Sequence, residues 1–74
     1  MPHYRLQIAE TLNSGIQRTI EVPDLDAAIL EGQRYVDKLW RLPDYKECYP
    51  FLEEVCVFND ETLSWICVWT PCCT

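Results

Sequence analysis

The side chains with the widest chemical range in this 74-residue chain are five thiols, one imidazole and twelve carboxylates. Cys48, Cys56, Cys67, Cys72, Cys73 and His3 are all potential ligands of a soft metal ion. Structural zinc sites draw on two close pairs of ligands, as in a repeated C-x-x-C, and the chain contains no C-x-x-C. Cys72 and Cys73 are adjacent, a spacing that rarely lets both thiolates converge on one tetrahedral ion. No metal and no other cofactor is therefore expected, and Cys48, Cys72 and Cys73 rank only as weak metal candidates. Redox chemistry is not expected, because the flanking sequence lacks the bases that lower a thiol pKa. Cys56 and Cys67 are expected on one sheet face, diagonal to each other, as reduced thiols acting as small hydrophobes.

The carboxylates give no acid–base pair. Glu53 and Glu54 are neighbours in an expected strand and so point to opposite faces. Asp60 and Glu61 fall at an expected hairpin tip, where water solvates them. His3 has no evident partner for nucleophilic catalysis. Gly15 and Gly32 are the only glycines, too few for a phosphate-cradling loop. The chain is expected to be no enzyme.

The elements that must position these groups are legible in the pattern. Residues 3–10 alternate, with Tyr4, Leu6 and Ile8 on one side and His3, Arg5 and Gln7 on the other. Thr11–Gly15 is turn chemistry, with Asn13 and Gly15 suited to left-handed backbone. Residues 16–22 alternate again, and Arg18 shares a face with Ile16, Ile20 and Val22. These runs predict a hairpin over 3–22. A helix is predicted over 24–41, with Asp24 as N-cap and Asp26, Lys38 and Arg41 opposing the helix dipole. Leu25, Ala28, Ile29, Gly32, Val36 and Leu39 form its apolar stripe. Gly32 within that stripe implies close approach of helix and sheet.

Residues 42–50 read as a loop or single helical turn, and 51–69 as a second hairpin closed by Asn59–Thr62. That four-residue loop would pair Phe58 with Leu63, Cys56 with Trp65 and Leu52 with Trp69. Residues 70–74 form a short tail. The order predicts one α+β domain, ββαββ, with a single helix on an antiparallel sheet.

Charge and surface chemistry set the functional expectation. The net charge is −6. Direct nucleic-acid binding needs clustered bases, and anionic membranes are disfavoured for the same reason. No apolar run approaches the ~20 residues of a membrane span, and no secretory signal leads the chain, so a cytoplasmic location with free thiols is expected. The second hairpin is apolar on both faces, although one helix covers only one. Aromatic residues are interspersed with acidic ones in the second half. Asp44, Tyr45, Glu47, Tyr49, Glu53, Trp65 and Trp69 are the candidate partner-binding residues. The expected role is a small acidic interaction module, an inhibitor or regulator that occupies the basic, nucleic-acid-handling surface of another protein. Size, charge and architecture suggest phage or mobile-element inhibitors of host defence by analogy, and no motif identifies a family. The alternatives are a structural homodimer and a small metal- or ligand-binding protein using its cysteines.

Overall fold

The computed structural model describes residues 1–11, 14–43 and 48–71. Its elements follow in the order β1 (His3–Ala9), β2 (Gly15–Glu21), α1 (Leu25–Trp40), β3 (Phe51–Asn59) and β4 (Ser64–Trp69). The strands form one antiparallel sheet, ordered β2-β1-β3-β4, and α1 packs on one face over the two central strands. This is the α+β architecture that the alternation and the single helical period imply.

The first hairpin follows its binary pattern. Tyr4, Leu6 and Ile8 are buried under α1, opposite Ile20, Arg18 and Ile16. Arg18 tolerates the helix-facing side because its guanidinium leaves the sheet and stacks 5.1 Å from the centroid of Tyr35. Gly15 departs from expectation. It does not adopt left-handed backbone but begins β2 opposite Ala9. Glycine is needed there because a Cβ would lie 2.9 Å from the Ile8 carbonyl oxygen.

The helix starts where Asp24 accepts a hydrogen bond from the Ala27 N–H at 2.9 Å. It ends at Trp40, with the Arg41 and Leu42 N–H groups donating to the carbonyls of Lys38 and Leu39. Ala28, Gly32, Val36 and Leu39 are its buried residues. The close approach at Gly32 is real: a Cβ there would sit 2.7 Å from Leu52 Cδ2, and Leu52 is itself 2% exposed. The core so formed joins Tyr4, Leu6, Ile8, Leu52, Val55, Ala28, Val36 and Leu39. Each of its larger side chains contributes about 1.5–3 kcal/mol by leaving water.

The second hairpin departs from the expected register. Phe58 pairs with Trp65, Cys56 with Cys67, and Val55 with Trp69. The turn lies one residue later than expected, over 60–63, because Leu63 takes the left-handed conformation (φ 54°). The Asn59 side chain supports it by accepting from the Glu61 N–H at 2.9 Å. A two-residue slip keeps each side chain on its face, but it changes every partner. Two bulges then change faces as well. Glu53 is an extra residue of β3 against β1, and Val68 is an extra residue of β4 against β3. Leu52 and Trp69, expected beside Cys56 and Trp65, consequently turn to the helix side and pack on the core.

Candidate functional site

The sheet face away from α1 carries the residues with chemistry. Its first row is Thr19, Arg5, Cys56 and Cys67, joined by successive cross-strand pairs. One step along β3, on the same face, stands Glu54. The expected diagonal placement of Cys56 and Cys67 is therefore corrected: they are directly opposed. Their sulfurs and a Glu54 carboxylate oxygen all lie within 4.8 Å of one another. Cys67 is exposed, whereas Cys56 is only 4% exposed despite facing away from the helix. The cover comes from Arg5, whose side chain crosses β3 to lie 4.9 Å from the Trp65 ring centroid. Trp65 in turn meets Phe58 edge-on at 5.3 Å.

Desolvation raises the Cys67 thiol pKa above the usual cysteine range, and a hydrogen bond with Glu54 adds to the effect. The nearby charges of Cys56 and Glu54 act in the same direction. Three acidic donors converge here, and one arginine, Arg5, shares their face.

The second feature is the outer edge of β4. The strand reads S-W-I-C-V-W, with neither charge nor proline. Ile66 is 43% exposed and Val68 40%. Among the described residues, no strand pairs with that edge. The whole hairpin, 51–69, carries four acids (Glu53, Glu54, Asp60 and Glu61) and no base. Bases gather elsewhere. Arg18, Arg34, Lys38 and Arg41 line a shallow groove between β2 and α1, where Glu31 pairs with Arg34 at 3.3 Å.

The sequence-derived partner-binding residues scatter. Tyr49 is exposed, holds positive φ, and meets Trp40 edge-on at 5.6 Å. Trp40 is tied to the start of β3 by its indole N–H, which donates to the Pro50 carbonyl at 3.0 Å. Glu53 is exposed at its bulge. Trp65 lies on the open face and Trp69 on the helix face, so one surface does not present both. Asp44, Tyr45 and Glu47 lie outside the described residues, as do Cys72 and Cys73 among the weak metal candidates. The third of these, Cys48, is partly buried and is not a member of the thiol cluster. Sequence reasoning missed the Glu54–Cys56–Cys67 grouping. Its available signal was the i, i+2 spacing of Glu54 and Cys56, which puts both on one strand face.

Among the described residues, no helix is long and apolar enough to cross a membrane. In comparisons with known proteins, the chain matches no family model, no curated protein and no solved structure.

Proposed function

We propose that this protein is a non-enzymatic interaction module that pairs with another protein along the outer edge of β4. The observation that carries the reading is the character of that edge: exposed, apolar and uncharged, on a hairpin with four acids and no base. An unpaired strand edge offers a row of N–H and C=O groups to an incoming strand. Main-chain hydrogen bonds supply affinity in such pairing, and alternate side chains supply specificity. The acids of the same hairpin, on β3 and in the turn, favour a partner segment rich in Lys and Arg. A surface that otherwise handles nucleic acid has that chemistry, so the role that follows is inhibition or regulation by occupancy. A cytoplasmic setting fits the proposal because free thiols persist in a reducing compartment.

Affinity capture from host cells with the native chain as bait tests the reading, with captured proteins eluted by a salt gradient. The expected result is a basic protein whose retention falls steeply with salt. Retention that is indifferent to salt contradicts the electrostatic half of the proposal. Sedimentation of the purified protein across a concentration series addresses a second copy as the edge's occupant. A monomer at high micromolar concentration supports the hetero-partner, and a stable dimer replaces it with self-pairing.

A further inference from the structure

We propose that Glu54, Cys56 and Cys67 form a binding site for a thiophilic divalent cation such as zinc. The inference does not depend on strand pairing at the β4 edge, since these side chains project from the open face of the sheet. Three observations carry it. The two sulfurs and the carboxylate oxygen lie within 4.8 Å of one another. Zinc bonds of about 2.3 Å to sulfur and 2.0–2.2 Å to oxygen place tetrahedral ligands roughly 3.5–3.8 Å apart. Closure therefore asks about 1 Å of side-chain movement, within the reach of χ rotation at the exposed Cys67 and the partly exposed Glu54.

The backbone supplies the second observation. Cys56 and Cys67 are held opposite each other by the β3–β4 ladder, and Glu54 stands two residues before Cys56 on the same face. The site is thus built on paired strands rather than on a loop. Cys56 is fixed by burial while Cys67 stays open to solvent, which gives an ion both an anchor and an entry path.

Charge balance is the third. Two thiolates and a carboxylate carry −3, and a divalent ion leaves −1. Arg5, the cross-strand partner of Cys56 on the same face, stands beside that residual charge. Binding then releases the two thiol protons to solvent, so affinity rises with pH. Two sulfurs and one oxygen leave a fourth position for water. Sulfur donors select zinc-like ions over magnesium or calcium.

The test is zinc titration of reduced, tag-free protein against a chromophoric chelator, repeated with cobalt, whose thiolate charge-transfer absorption reports sulfur ligation. One ion per chain is expected. Cys67→Ser should lose more than the roughly 10–100-fold in affinity that loss of an outer-shell partner costs, and Glu54→Gln should lose about tenfold. Both residues lie outside the hydrophobic core, so the variants fold. The triple variant Cys48→Ser, Cys72→Ser, Cys73→Ser should bind zinc as the native chain does. In the native chain, zinc should protect Cys56 and Cys67 from alkylation. No uptake, uptake unchanged in Cys67→Ser, or uptake lost in the triple variant each overturns the site. So does a Cys56–Cys67 disulfide that forms in air equally fast with zinc and without it.

Discussion

The two hairpins are built alike and finished differently. Each contributes one central strand and one edge strand to the same sheet. Residues 3–22 carry two arginines and two glutamates, so their Arg and Glu charges cancel; residues 51–69 carry four acids and no base. Edge strand β2 contains Arg18 and Glu21, and Gln17, Arg18 and Thr19 make its middle polar. Glu21 also accepts from His3 across the ladder at 2.9 Å. Edge strand β4 has no charged residue, and its protective device is the bulge at Val68 near its end. Proteins ordinarily defend edges with charge, proline, bulges or cover. The first hairpin thus follows the rules for a strand that faces water, and the second leaves them at the place proposed here for a partner.

The difference can be broken or sharpened by substitution. The largest effect separates the two tryptophans of β4. Trp69 packs on the core, so Trp69→Ala should cost about 2 kcal/mol of stability, roughly half the value for a fully buried aromatic. Trp65 lies on the open face against Phe58 and Arg5, and Trp65→Ala should cost only about 1 kcal/mol. Urea denaturation reads both, and equal losses would mean that Trp69 has not turned to the helix side.

Next comes the contact between helix and sheet. At Gly32, alanine offers up to ~1 kcal/mol of helix propensity. Its Cβ would collide with the buried Leu52 side chain, and overpacking of that kind costs about 1–3 kcal/mol. A net loss in melting temperature is expected, and a gain would show that the helix can ride higher over β3. Smaller again is the support for β2. Arg18→Ala removes the stacking on Tyr35 and should cost about 0.5–1 kcal/mol, also seen in denaturant unfolding.

The smallest effect is in the thiol chemistry. The thiolate is the reactive form, so the raised pKa should make Cys67 alkylate more slowly at neutral pH than an ordinary exposed cysteine. Glu54→Gln removes a nearby negative charge and should move the pH–rate profile to lower pH. The sign for folding is the same. The folded state disfavours the Cys67 thiolate, so stability is unaffected below the ordinary thiol pKa and falls as pH rises from there through the folded pKa.

How far the sequence carried these conclusions differs between the hairpins too. The first hairpin's faces, the Asp24 cap and the close approach at Gly32 follow from local rules, because period and capping are properties of neighbouring residues. The second hairpin resisted for non-local reasons. Its register depended on a left-handed Leu63, a conformation that leucine's side chain does not advertise. Its faces depended on two bulges, which a binary pattern averages away. Hints existed in L-E-E-V, where two acids interrupt the alternation, and in I-C-V-W, where four apolar residues run together. Each marks a bulge. The slip of two residues hid the thiol cluster, since it exchanged Trp65 for Cys67 as the partner of Cys56.

The central claim is that β4, and not β2, is the binding edge. Matched substitutions on the two edges test it most directly. Ile66→Lys places a charge on the exposed β4 strand, and Thr19→Lys places the same charge on β2. Both sites are exposed, and stability should change by less than about 0.5 kcal/mol in either variant. The affinity of each for a captured partner is then measured at one ionic strength. Ile66→Lys should weaken binding at least about tenfold, equivalent to roughly 1.4 kcal/mol, while Thr19→Lys binds as the native chain does. Unaltered binding by Ile66→Lys, with loss in Thr19→Lys, would contradict the account.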